Sequence, residues 1–187
     1  MKKIVRTFFL RRLRVARLGM LMMIMLVSTA SWAQKYDSDF TQTRVMKISG
    51  KTTTMHGHIT FDGNDHLSMM YSDPEGDYFI IDGAMVKVNL MKKKAELNSE
   101  KVKAVQLQRS TLLNCLSGEW EKAAAENKAD TIVTEKDGFR NVLIQAKGKI
   151  PRGGYSSVDL TYRISDGLVV KMILEEAIGV VNTYEIE

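Results

Sequence analysis

What the chain has little of narrows it first. Cys115 is its one cysteine, so no internal disulfide can form even in an oxidising compartment. That thiol is expected as a small, buried, apolar side chain. Pro74 and Pro151 are the only prolines in 187 residues. No Pro/Ser-rich linker, block of like charge or internal repeat divides residues 34–187, and one domain is expected there. Histidine is scarce too: His56, His58 and His66 complete the set. Spread along one alternating stretch, their nitrogens do not converge on a tetrahedral metal. No G-x-S-x-G or phosphate-loop pattern occurs, Cys115 falls mid-helix among leucines, and the carboxylates are dispersed over turns and outer faces. The expectation is a protein without catalysis, metal or cofactor.

The N-terminus carries what the rest lacks. Lys2, Lys3, Arg6, Arg11, Arg12, Arg14 and Arg17 form a cationic region without acidic residues, followed by an apolar stretch from Leu18 to Val27. Ser31-Trp32-Ala33 then offers small residues at the two positions a signal peptidase reads, so residues 1–33 are expected to be a cleaved signal peptide with Gln34 as the new N-terminus. The apolar stretch is well short of the roughly 20 residues that span a bilayer. Seven of the 27 Lys and Arg lie in this segment, leaving 20 against 22 Asp and Glu. The exported chain is therefore close to neutral, and the basic pI gives no support for nucleic-acid binding.

Strand patterns dominate the exported chain. Thr41–Ser49 reads as a strand ending at Gly50. Met55–Phe61 and Leu67–Tyr71 alternate around Asp62-Gly63-Asn64-Asp65, a hairpin composition. A three-residue loop there would set Phe61 opposite Leu67, Ile59 opposite Met69 and Gly57 opposite Tyr71, all facing one way. Tyr78–Ile81 and Met85–Leu90 come next, with Lys92-Lys93-Lys94 as a solvated turn or protected edge. Later strands are expected at 131–135, 139–146, 156–164, 168–175 and 178–186. In the third of these Val158, Leu160, Tyr162 and Ile164 alternate with Ser157, Asp159, Thr161 and Arg163. Such a succession of hairpins implies a twisted antiparallel meander, curled towards a barrel. One segment departs from it. From about Glu100 to Asn127, Val102, Val105, Leu112, Leu113, Leu116, Trp120, Ala123 and Ala124 follow helical spacing, with Ser117-Gly118 as a break between two helices.

Phe40-x-Gln42, Gly50, Gly57-x-Ile59-x-Phe61, Leu67-x-Met69-x-Tyr71-x-x-Pro74 and Asp82-Gly83 resemble, in order and spacing, the N-terminal half of the LolA family. These are periplasmic carriers of outer-membrane lipoproteins. The resemblance covers about residues 39–90; the helices and later strands agree in layout. It implies a mainly β fold: a single curved antiparallel sheet, an incomplete barrel, with one or two helices as a lid across its opening. It further implies a monomer in the periplasm of a Gram-negative envelope, handing acyl chains from an inner-membrane release complex to an outer-membrane receptor. The family's Arg-Pro after the second strand, whose arginine pairs with the lid, is replaced here by Asp62-Gly63-Asn64-Asp65. Lid closure by apolar packing alone is therefore expected.

The candidate lining of an apolar cavity is Ile59, Phe61, Leu67, Met69 and Tyr71 from the first hairpin. Phe79, Ile81, Leu160, Tyr162, Met172 and Leu174 would come from later strands, and Leu112, Leu113, Leu116 and Trp120 from the helices. Each serves equally well as plain core. Methionine favours a cavity, because its flexible thioether adapts to variable ligands. The functional readings are a carrier of lipoprotein acyl chains, a binder of another lipid or glycolipid, and a protein-binding sensor or regulator on the same scaffold.

Overall fold

The computed structural model describes residues 34–63, 65–150 and 153–187. The expected signal peptide (residues 1–33), Asn64 of the expected hairpin loop, Pro151 and Arg152 lie outside them. The described chain runs β1 (Tyr36–Met46), β2 (Lys51–Phe61), β3 (His66–Asp73), β4 (Glu75–Asp82), β5 (Met85–Leu90) and β6 (Lys93–Asn98). Two helices come next, α1 (Lys103–Leu116) and α2 (Trp120–Asn127). The chain closes with β7 (Ala129–Lys136), β8 (Phe139–Ala146), β9 (Tyr155–Arg163), β10 (Val169–Glu176) and β11 (Val180–Ile186).

All eleven strands form one antiparallel sheet in the order β6-β5-β4-β3-β2-β1-β11-β10-β9-β8-β7. The first strand is thus central, pairing with β2 on one side and β11 on the other. The first half of the chain steps outward to the β6 edge, the helices carry it to the β7 edge, and the second half steps back to the centre. β6 and β7 do not pair, so the sheet is an unclosed barrel. This is the expected fold class. Buried side chains from β2–β5, from β8–β10 and from both helices belong to one core cluster. Strands from both halves can share that core only if the sheet curves around the helices.

The first hairpin adopts the expected register, with Phe61 opposite Leu67, Ile59 opposite Met69 and Gly57 opposite Tyr71. Gly57 is glycine for a steric reason. A Cβ there would collide with the Met70 carbonyl oxygen and come within 2.9 Å of the Phe40 ring. That ring lies over β2 and meets Tyr71 edge-on, with centroids 5.3 Å apart, a favourable arrangement for two quadrupolar rings.

The first strand departs from expectation. It spans Tyr36–Met46 rather than Thr41–Ser49. Tyr36, Phe40 and Gln42 are buried on the inner face, while Asp37, Ser38 and Asp39 between them mask the alternation. After Met46 the chain turns, with Gly50 N–H donating to the Met46 carbonyl at 2.8 Å. Alternation puts Ile164 on the inner face of its strand, but it lies beyond the end of β9 and is exposed.

The helical segment breaks where Ser117-Gly118 predicts, Gly118 taking φ +77°. The last four carbonyls of an α-helix have no partner inside it. In α1 each finds one. Ser117 N–H donates to Leu113, Glu119 N–H to Asn114 and Gly118 N–H to Cys115. The Tyr162 hydroxyl also donates to the Cys115 carbonyl at 2.8 Å, and the Tyr36 hydroxyl to that of Leu116 at 3.3 Å. Two tyrosines from the sheet therefore anchor the C-terminal end of α1.

Candidate functional site

Under α1 the sheet does not close on itself. A cavity of about 200 Å³ remains, well beyond the ~10–15 Å³ that would hold a single water. Ile59 of β2, Leu67, Met69 and Tyr71 of β3 and Phe79 of β4 line one wall. Met172 and Leu174 of β10 line the facing wall, and Leu112 and Leu116 of α1 the roof. The other expected lining residues lie elsewhere. Phe61, Ile81, Leu113, Leu160 and Tyr162 are buried in the core cluster without lining this cavity. Trp120 is half-buried and borders a separate, smaller crevice with Gln34, Arg140 and Tyr162. Helical spacing puts Trp120 in line with Leu112 and Leu116, but α1 ends at Leu116, Gly118 takes a left-handed φ of +77°, and Trp120 begins a second helix.

Sequence reasoning missed part of the lining. Val86, Val88 and Leu90 extend the first wall along β4's neighbour β5, and Val105 extends the roof. It also missed a polar end made by Gln42, Arg44, Tyr155, Glu176, Asn182 and Tyr184. The available signal was alternation: Gln42 and Arg44 succeed Phe40 at every second position, and Tyr184 succeeds Asn182 likewise.

Much of that polar end is tied into a chain of hydrogen bonds across the sheet. The Tyr71 hydroxyl donates to Gln42 Oε1 at 2.5 Å, Gln42 Nε2 to Asn182 Oδ1 at 3.1 Å, and Asn182 Nδ2 to Glu176 Oε1 at 3.3 Å. Burial raises the hydroxyls of Tyr71, Tyr155 and Tyr184 well above the ordinary phenol range, so all three stay neutral. Burial likewise pushes the Cys115 thiol up to about 12, which suppresses the thiolate that reactivity requires.

The contact between α1 and the sheet is not apolar alone. Arg109, on α1, donates from Nε to the Gly83 carbonyl at 2.7 Å, and its guanidinium lies 3.5 Å from the Asp65 carboxylate. Those acceptors stand in the β4–β5 and β2–β3 turns, which are themselves joined by Gly83 N–H donating to the Asp65 carbonyl at 3.2 Å. The expectation of closure by packing alone therefore fails. The turn that lacks an arginine supplies the acceptor, and the helix supplies the guanidinium.

On the outer face of the sheet, His58 bridges two carboxylates, with Nδ1 2.8 Å from Asp39 and Nε2 2.7 Å from Asp37. Those hydrogen bonds, Asp39 first, raise the pKa of the imidazole. Among the described residues no group of three His, Cys, Asp or Glu could hold a metal ion, and no helix is long and apolar enough to cross a membrane. The arrangement can enclose apolar matter at one end and hydrogen-bond a polar group at the other.

No family model matches the chain, and no curated protein matches it. Several solved structures match it at low identity and low TM-score. A LolA superfamily protein from Nitrosomonas europaea is 10% identical over 83% of this chain and 85% of its own, with a TM-score of 0.38. In the Pseudomonas aeruginosa MucA/MucB complex the matched chain is 12% identical over 83% of this chain and 52% of its own, TM-score 0.43. The Mycobacterium tuberculosis lipoprotein LppX is 14% identical over 86% and 89%, TM-score 0.32.

Proposed function

We propose that this chain is an exported carrier that shelters acyl chains between α1 and the curved sheet, as a lipoprotein carrier of the periplasm would. The observation that supports it is the cavity itself. Protein interiors are normally packed to the density of organic crystals, yet between α1 and the sheet a mainly apolar space of about 200 Å³, open in part to solvent, persists. Water fills such a space poorly. A hydrocarbon chain fills it well, at about 0.8 kcal/mol per buried methylene. Met69 and Met172 on facing walls supply side chains that adapt to chains of different shape. The resemblance of residues 39–90 to the carrier family points the same way.

Mass spectrometry of an organic extract tests the reading, using protein purified from the envelope of its native host. Acyl-bearing material approaching one equivalent is the expected result. A lipoprotein cargo would identify the carrier, and another lipid or glycolipid the related binder. Lipid-free protein that co-purifies with a protein partner would overturn the reading in favour of a sensor module.

A further inference from the structure

Resting on the acyl-binding reading, we propose that the cavity selects chains with an anionic head, held by the Arg44 guanidinium with the hydroxyls of Tyr155 and Tyr184. Two cations line the cavity, Arg109 and Arg44. Arg109 is occupied by Gly83 and Asp65. Arg44 is partly buried, and it has no hydrogen bond or ion pair among the described residues. A guanidinium carries five donors, and withdrawing it from bulk water without a partner is costly. The hydroxyls of Tyr155 and Tyr184 likewise have no hydrogen-bond partner among the described residues, and neither is sealed from the cavity their side chains line.

The register gathers these groups at one end of the sheet. Arg44 on β1 pairs with Asn182 on β11, and Glu176 on β10 pairs with Tyr155 on β9. Tyr184 is also near enough to Arg44 and Glu176, and Tyr155 to Tyr184 and Glu176, to feel their charge. Donors without acceptors at the end of an apolar cavity suit a ligand that is hydrocarbon along its length and an oxyanion at its tip. A carboxylate meets a guanidinium with two parallel hydrogen bonds, and a phosphate head offers the same chemistry. Glu176 opposes the anion, but its carboxylate accepts a hydrogen bond from Asn182 and makes no ion pair with Arg44, so the guanidinium remains available.

Calorimetric titration near neutral pH with dodecanoate, dodecyl phosphate, dodecanol and acetate tests the assignment. Wild type should bind both anionic amphiphiles more tightly than dodecanol, by on the order of tenfold, the lower end for hydrogen bonds to a charged group. Arg44→Gln should abolish that preference by weakening the two anions far more than dodecanol, and an unchanged circular-dichroism spectrum and urea midpoint should show that the variant is folded. Arg44→Lys should restore part of the preference, and Glu176→Gln should strengthen dodecanoate binding. Equal affinities for dodecanoate and dodecanol, or a preference that survives Arg44→Gln, would overturn this inference and leave the acyl-binding reading standing. Acetate binding as tightly as dodecanoate would make the site one for small free anions and overturn it as well. Binding of none of the four would remove the acyl-binding reading and this inference together.

Discussion

The Nε–H of Arg109 meets the carbonyl oxygen of Gly83 at 2.7 Å, joining the middle of α1 to the turn between β4 and β5. At the other end of the helix, Tyr36 and Tyr162 reach the carbonyls of Leu116 and Cys115. Leu112, between these attachments, and Leu116, at the second of them, roof the cavity. Unlike the tyrosine anchors, which are buried, the Arg109 attachment includes an exposed carboxylate. It is the weaker end, and α1 should open from there.

Replacing Arg109 by alanine removes a charge-assisted hydrogen bond, for a predicted loss of about 1.5 kcal/mol. The exposed Asp65 partner adds little to this. Hydrogen exchange should speed up in residues 103–109 more than in residues 113–116. Uniform exchange along α1 in the variant would show that the helix is not hinged at its C-terminal end.

Trp120 separates core from cavity. Because it borders the crevice beside Gln34 rather than the cavity under α1, Trp120→Ala should cost stability, about 2 kcal/mol for a half-buried indole. Dodecanoate affinity in the folded variant should be unchanged. Urea denaturation and calorimetry on the same sample check both statements, and a clear fall in affinity would place Trp120 in the binding path.

His58 predicts a pH dependence on the outer face. Asp39 and Asp37 raise its pKa in the folded state, so folding is favoured by the protonated form. The contribution is fully present below the ordinary imidazole value and is lost as pH rises through the raised one. The imidazole is half exposed to solvent, so the effect on stability is small. NMR titration should give His58 a higher midpoint than imidazole in the unfolded chain, and an Asp39→Asn, Asp37→Asn double variant should abolish the difference.

Much of the sheet is legible in the sequence because its hairpins carry strict alternation. Ile59, Phe61, Leu67, Met69 and Tyr71 share a face in the structure as the pattern requires. Pattern alone places the first strand late, because Asp37 and Asp39 make its opening look like a loop while Tyr36 and Phe40 are already buried. The cavity is harder to read. Periodicity says which side chains point inward, but not which inward side chains lack a neighbour. Phe61 and Met69 carry the same signal, and only Met69 borders the space. The polar end is hidden for a related reason: Gln42, Arg44 and Asn182 interrupt an apolar face, and their meeting depends on β1 pairing with β11 across the whole chain.

Photo-crosslinking with a diazirine-bearing fatty acid tests the central claim most directly, with the labelled residues mapped by mass spectrometry. If an acyl chain lies between α1 and the curved sheet, label should concentrate on residues 105–116 of the helix and on inward positions of β3–β5 and β10, Met69 and Met172 among them. Unlabelled fatty acid should compete it away. Label confined to outward positions such as Met70 or Ile132, or label at the cavity that unlabelled fatty acid does not displace, would contradict the account.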